Sequence, residues 1–380
     1  MTETKHKENI RDLQSKGFIR VKPEVLKSFM IDTFSRLGVP KKDSEIMADV
    51  LITSDLRGID THGIQRLKMY YDRIKNGIYN KRTKIKIIKK TPTTAVIDGN
   101  FGLGPVIAYK SMKIAIKKAK KYGFGSVATR NSTHFGIAGY YSLMAIKEGM
   151  IGITTTNARP MVPPTFGVEP LLGTNPLTMG APTDEKFPFL IDCATSIIQR
   201  GKLEVYNRLN QPLPEGLIIT ENGKSENNPK SILHGLDISS AALLPLGGKG
   251  ENTSGHKGYG YATFVEILSS ALQEGVFLKD TAGIYKNGKK RLPVGHFFLA
   301  MNIENFIGLD SFKRTTGKIM RTLRKSKKEP GAKKIYTAGE KEYLTEIERR
   351  SKGIPLNKSL QQDLKQIQND LGLFEYNFDF

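Results

Sequence analysis

The chain has 380 residues, 38% hydrophobic and 25% charged, the make-up of an ordinary globular protein long enough for two domains. A single cysteine, Cys193, excludes an intrachain disulfide framework, no apolar run is long enough to span a bilayer, and the polar start MTETKHKENIRDLQ lacks the apolar core of a signal peptide, so a cytoplasmic, non-membrane protein is expected. The formal net charge of +22 raises nucleic acid as a partner, but the lysine runs KRTKIKIIKK (81–90), KIAIKKAKK (113–121) and RTLRKSKKEPGAKK (321–334) are dispersed along the chain.

Leu26, Phe29, Met30, Phe34 and Leu37 fall on one helical face, stopped by Gly38-Val39-Pro40. Asp43 or Ser44 is expected to cap a second helix that turns Ile46, Met47, Val50 and Leu51 inward. A third spans about 63–76 and ends at Asn76-Gly77. Strand-like KIKIIKK (84–90) and TTAVIDG (93–99) precede a long amphipathic helix, 105–122, whose lysines form its solvated face. No RNP, zinc-finger or helix-turn-helix signature accompanies the lysines. A nucleic-acid partner is therefore not expected, and the charge serves equally well to attract small anionic substrates.

From 125 to 195 the short β runs GSVATR, MIGITTTN and FPFLIDCAT are separated by a helix at 136–149 and by the Pro/Gly-rich stretch 157–182. That stretch mixes apolar residues with its turn formers, as a loop that builds a site does. NGKSENNPKS (222–231) reads as a surface excursion. PLGGKGENTSGHKGYG (245–260) opens a helix at about 259–273, and the strand GHFFLAMNI (295–303) leads into helical segments that run to the C-terminus. The pattern is α+β: a mixed-sheet domain over 79–304 and one discontinuous helical domain from 1–78 and 305–380.

None of the glycine-rich stretches is a standard nucleotide loop. GFGSVA (123–128) follows a helix and opens a strand, the inverse of the Rossmann order, and GNFGLG (99–104) has the wrong spacing. GENTSGHK (250–257) lacks the Lys-Ser/Thr of a P-loop. The glycines at 247, 248, 250, 255 and 258 still let backbone N–H groups approach a ligand and lead, with Lys257, into a helix N-terminus. An anion site and a flexible surface turn are the two readings.

Of six histidines, His6 and His234 lie in polar surroundings and His296 at a strand start, where a structural role is expected. His62, His134 and His256 adjoin glycine-containing turns. SDLRGIDTHGIQRL (54–67) gathers Arg57, Asp60, His62 and Arg66, and a helix begun near 62 would put His62 and Arg66 on one face. A guanidinium fork clamps a carboxylate and an imidazole passes a proton to a carbonyl oxygen. A surface salt-bridge cluster is the competing reading. His62 and His134 have no partner at metal-ligand spacing, so no metal is expected. Cys193, at the end of an apolar strand, reads as buried rather than nucleophilic.

SDLRGIDTHGIQR, RNSTHFGIAGYYSLMA, GMIGITTTNA, LLGTNPL, FLIDCATS, RGKLEVYNRLNQPLPEG, HKGYGYATFVEILSSAL and YTAGEKE occur in one order from about 20 to 372. In that order the chain resembles the malate/L-lactate dehydrogenase family that lacks a Rossmann fold, with its sulfolactate, ureidoglycolate and archaeal-type malate dehydrogenases and its diketogulonate and cyclic-imine reductases. The resemblance implies a homodimer whose sheet domain binds NAD, with NADP the alternative. It implies reversible hydride transfer between NAD(P)H and a small 2-oxo or 2-hydroxy acid of malate or lactate type. Another activity of the family, or a non-catalytic anion- or RNA-binding protein on the same fold, are the rivals.

Residue by residue, the resemblance implies His62 and His134 as the acid/base pair, either one the donor, with Asp192 holding an imidazole in its tautomer. Arg66 becomes the carboxylate clamp, and Thr61 stands where the family usually has the serine of Ser-His-Gly. Ala158 replaces a serine that touches substrate in some members, and Arg159 after it offers a second positive group suited to dicarboxylates. Pro188, Phe189, Leu190, Ile191, Asp192, Cys193 and Ala194 would line the dinucleotide, together with His256, Lys257, Gly339, Glu340 and Lys341.

Overall fold

The expected apolar stripe of the first helix is buried: Leu26, Phe29, Met30 and Phe34 lie inward on α1 (Pro23–Arg36), against α2 (Lys41–Leu56). The computed structural model describes residues 18–378 and 380, so the polar start and His6 lie outside the described residues. α2 begins directly after Pro40, which places Asp43 and Ser44 inside its first turn; neither caps it. Two single 3-10 turns, Asp60–His62 and Ile64–Arg66, then separate α2 from α3 (Leu67–Lys75), so the third helix starts later than its periodicity suggested.

The middle of the chain builds one seven-stranded sheet. Its strands are β2 (Lys86–Lys90), β3 (Thr94–Asp98), β4 (Phe124–Ser132), β5 (Met150–Thr156), β6 (Leu177–Ala181), β7 (Phe189–Cys193) and β12 (Val294–Asn302), in the spatial order β2-β3-β4-β12-β5-β6-β7. Only β3 and β4 run parallel, joined by the crossover helix α4 (Gly104–Tyr122); the other neighbours are antiparallel. β6 is a strand inside the Pro/Gly segment that the sequence pattern did not reveal. α4 and α5 (Gly139–Lys147) cover one face, where Ser111 meets Thr129 and Ser142 meets Thr154. α8 (Gly255–Ser270) covers the other, where Ser269 meets Thr155. Successive side chains of a strand alternate between faces, so the adjacent threonines 154 and 155 bind opposite layers.

The segments on either side of the expected surface excursion, 222–231, form a folded unit, and the excursion itself is largely exposed. α6 (Arg200–Arg208), α7 (Pro229–Ile238) and the antiparallel pair β8 (Ile218–Thr220) and β9 (Ala241–Leu243) enclose a core of their own that includes Leu203, Leu213, Ile218, Ile232, Leu236 and Leu243. The polar run stays outside this core and ends in Asn228, whose side chain caps α7 by accepting from the Lys230 and Ser231 N–H groups.

The two ends of the chain meet. β1 (Ile19–Val21) pairs with β13 (Ile354–Leu356), and α11 (Lys358–Leu371) sends Leu364 and Ile367 into the core of α1, α2 and α3. The rings of Tyr376 and Phe378 stand edge-on to Phe29 at 5.2 and 5.1 Å. Between these segments, α9 (Leu309–Lys325) is tied to the β6–β7 turn by Arg321 and Arg324 on Asp184 and Glu185, and α10 (Glu340–Lys352) packs on α2. No described helix is long and apolar enough to cross a membrane.

Phe29 is fully buried at the point where the C-terminal tail closes the helical core. Phe29→Ala should therefore lower unfolding stability by about 3–5 kcal/mol. Urea unfolding followed by circular dichroism measures this, and a loss below about 1 kcal/mol would show that the tail does not depend on that ring.

Candidate active site

The turn carrying His62 is fastened from beneath. At the end of α2 the buried carboxylate of Asp55 accepts a hydrogen bond from the Ile64 N–H at 2.7 Å. A Cβ at Gly63 would lie 1.9 Å from Asp55 Oδ1, so only glycine admits this approach. From α10, Arg349 donates to the Asp55 carbonyl and to both carboxylate oxygens of Asp60, reaching Oδ2 at 2.9 Å. Burial first, and then the Asp60 charge, hold the Asp55 carboxyl well above the usual carboxylate range. In this turn Thr61 Oγ1 lies 2.9 Å from His62 Nδ1, and Arg66 Nε donates to the Thr61 carbonyl at 2.6 Å.

His134 arrives from the other side, on the turn after β4. Thr133 pins that turn: its hydroxyl donates to the Gly102 carbonyl and accepts from the Gly104 N–H, each at 2.9 Å. Tyr70 on α3 places its hydroxyl 2.7 Å from His134 Nδ1 and 3.0 Å from the His134 carbonyl. The two imidazoles stack with centroids 5.6 Å apart and planes 15° from parallel. Nδ1 of each ring is engaged by a hydroxyl, which leaves Nε2 as the nitrogen available to a reacting group.

Both rings keep some surface accessible but are walled in by protein, and their electrostatics follow. Burial, and then the Arg66 charge, push His62 down to about 3. Burial, followed by His62, Arg66 and Arg73, holds His134 well below the ordinary imidazole value. The arrangement is a pair of neutral imidazoles beside a guanidinium. With Nε tied to Thr61, the two terminal nitrogens of Arg66 have no hydrogen-bond partner among the described residues and can take a carboxylate in parallel.

Asp192 does not hold either imidazole. Its carboxylate accepts from the Gly139 N–H and from the Thr178 hydroxyl, both at 2.8 Å, with Arg57 as its neighbouring cation. The groups on the imidazole Nδ1 atoms are instead the hydroxyls of Tyr70 and Thr61, because β7 lies at the sheet edge and meets the α5 N-terminus there. Cys193 is half-buried, and burial, with Asp192 next, raises its thiol pKa, which opposes thiolate chemistry.

Arg159 belongs to a charged cluster on the folded unit. It approaches Asp237 at 3.6 Å, and the same carboxylate takes both terminal nitrogens of Arg200 at 2.7 and 3.1 Å. Arg200 also pairs with Glu204, and both act on the charge of Arg66. A Cβ on Gly201 would lie 2.5 Å from the Thr61 methyl, so α6 abuts the His62 turn. Sequence reasoning missed Tyr70, Arg200 and Asp237. Tyr70 could have been found, since it follows Arg66 by one helical turn; the other two carry no local signal.

The segments expected to line a dinucleotide adjoin one another. The Leu190 N–H donates to the Ala338 carbonyl at 3.4 Å, and Gly339, at φ +91°, lies so close that a Cβ would sit 2.6 Å from the Pro188 carbonyl. Glu340, by contrast, turns inward: it pairs with Lys334 at 2.6 Å and accepts from the Thr337 N–H, so it holds this turn and does not line a ligand. Lys341 stays outside, on an open groove of about 220 Å³ shared with Tyr336, Thr345 and Glu348. His256 and Lys257 are exposed in the first turn of α8, which starts earlier than expected, and Leu246 beside that turn donates to the Thr195 carbonyl at 2.8 Å. A helix N-terminus with an adjacent lysine, next to an edge strand, fits an anionic dinucleotide.

A family model described as malate/L-lactate dehydrogenase matches residues 21–365. The chain is 45% identical over 357 residues to a malate dehydrogenase of Pyrococcus horikoshii, covering 94% of this chain and 97% of that one. It is 41% identical to an L-sulfolactate dehydrogenase of Methanocaldococcus jannaschii, covering 93% and 97%. A crystal structure of malate dehydrogenase from Entamoeba histolytica superposes with a TM-score of 0.91 at 45% identity, covering 96% of this chain and all of that one.

His296, expected to be structural, is fully buried between Thr156 and Ser132 at 2.8 and 2.7 Å, and burial lowers it, like His62, to about 3. Both imidazoles are then neutral in the folded chain down to low pH. Their contribution to stability is complete above the unfolded value of about 6.5 and is lost as pH falls toward 3. Imidazole C–H resonances of both should stay flat between about pH 8 and 5, and a midpoint near 6.5 for either would contradict the geometry.

Proposed function

The chain belongs to the malate/L-lactate dehydrogenase family, and from that premise we propose that it interconverts a small 2-hydroxy acid and its 2-oxo acid, with malate and oxaloacetate as the substrate pair. The observation that carries this reading is the stacked His62–His134 pair with Arg66 at its side. The terminal nitrogens of Arg66 bind the carboxylate next to the reacting carbon. NAD, with NADP the alternative, supplies the hydride acceptor or donor. Pro188 to Ala194, His256, Lys257, Gly339 and Lys341 would hold it.

The chain's own contribution is proton handling. In the oxidising direction a neutral imidazole Nε2 takes the proton of the 2-hydroxyl. A carboxylate on Arg66 offsets the cation that depresses both rings, so their proton affinity rises when substrate is in place. In the reducing direction the protonated ring returns the proton to the oxo oxygen. Tyr70 and Thr61 keep each ring oriented through Nδ1.

Two further features support finer points. Arg159, which shares Asp237 with Arg200, a charge that acts on Arg66, suits a second carboxylate and favours malate over lactate. Tyr261, Phe264 and Ile267 on α8 are 57, 60 and 49% exposed, an apolar face suited to a second copy of the chain, and this supports a homodimer. The lone, half-buried cysteine suits a cytoplasmic setting.

Nicotinamide absorbance should change with oxaloacetate in a panel that also holds pyruvate, sulfopyruvate, oxalurate and a cyclic imino acid, each with both cofactors; no response from any would reject the activity. His62→Ala and His134→Ala should each cut kcat by about 10²–10⁴ with circular dichroism unchanged. Wild-type rates in both would remove the pair from the mechanism. Arg159→Ala should raise KM for oxaloacetate about tenfold or more while leaving pyruvate nearly unaffected, as expected for loss of one charged hydrogen bond. Equal effects on the two substrates would exclude Arg159 from the choice between them.

A further inference from the structure

Two lysine runs that are separate in the sequence lie side by side in the fold. Thr83 Oγ1 accepts from the Leu103 N–H at the start of α4, and Lys118 Nζ donates to the Thr91 carbonyl at 2.5 Å near its end. Residues 83–91, which include the edge strand β2, therefore run along the whole length of α4. Residues 81–122 contain twelve Lys and Arg and a single acid, Asp98, so half of the chain's +22 sits on this one edge.

The charges form two rows. Six exposed cations lie between Lys81 and Lys90 on the strand side. On the helix side α4 exposes Lys113, Lys117, Lys120 and Lys121, with the half-buried Lys110 one turn earlier and Tyr122 at the end. The lysines recur about once per turn, or roughly every 5.4 Å. Among the described residues only Lys110 and Lys120 are ion-paired, with Asp43 at 3.8 Å and Glu148 at 2.6 Å. One or two lysines protect a sheet edge from pairing; nine uncompensated cations in parallel rows exceed that need.

We propose that this edge binds the phosphate backbone of nucleic acid, independently of sequence and of the dehydrogenase site. A linear polyanion matches an elongated, largely unpaired band of cations and is drawn to it by counterion release. A protein partner matches less well, because interface centres are depleted in lysine and the exposed apolar residues here, Ile87, Ile88 and Tyr122, are flanked by lysines. A bilayer also matches less well, because these few apolar residues among so many cations make no continuous apolar face. The inference does not rest on the dehydrogenase reading.

The test is fluorescence anisotropy of the full-length protein with labelled RNA and DNA duplexes of about 24 base pairs and arbitrary sequence, from about 50 to 200 mM KCl. Binding should weaken with a log–log salt slope of about −4 or steeper, equally for unrelated sequences. The triple variant Lys113→Glu, Lys117→Glu, Lys121→Glu and the triple variant Lys86→Glu, Lys89→Glu, Lys90→Glu should each lose about tenfold or more in affinity, with circular dichroism and nicotinamide turnover retained. If one variant misfolds, the other decides. Absence of duplex binding at the lowest salt, unchanged affinity in a folded variant, or capture by phosphatidylserine vesicles without duplex binding would each overturn the proposal.

Discussion

Asp55 is a carboxylate with almost no contact with water, and the turn bearing His62 and Arg66 is built around it. Its side chain accepts from Ile64, its bulk fills the space that a side chain at position 63 would need, and its carbonyl is held by the arginine that also grips Asp60. Burying such a group is costly unless it is bonded, and here its carboxylate bonds the Ile64 N–H, two residues beyond His62. The geometry of the His62 turn is thus set by a group that touches neither imidazole.

The same site shows a balance between proximity and charge. Stacking two imidazoles beside a guanidinium would be costly if the rings were cationic, and burial keeps them neutral. Neutrality suits a base, and in the proposed reaction a carboxylate on Arg66 offsets part of what depresses the rings, burial being the larger cause. Tyr70 and Thr61 orient the rings without adding charge, which a carboxylate in the position expected for Asp192 would have done.

The unit around α6 and α7 has its own core, yet it delivers Arg200 and Asp237 to the edge of the His62 turn and links them to Arg159 from the long loop. This unit therefore borders the His62 turn without being part of the sheet. At the β2 edge of the sheet, β2 and α4 gather positive charge, and α4 begins beside the turn that carries His134.

Local order was legible in the sequence. The inward stripe of Leu26, Phe29, Met30 and Phe34, most of the sheet strands, the crossover helix and the α+β class follow from periodicity, because side-chain direction repeats with the backbone. His62, His134 and Arg66 were identifiable by residue type and resemblance, and Tyr70 stood one helical turn beyond. Tertiary structure alone decided the rest: that the imidazoles stack, that Asp192 serves Gly139 and Thr178, that Glu340 faces inward, that 197–243 folds around a core, and that 83–91 lies along α4. Each of these is a contact between segments distant along the chain, and no local pattern specifies which distant segment will fill a given space.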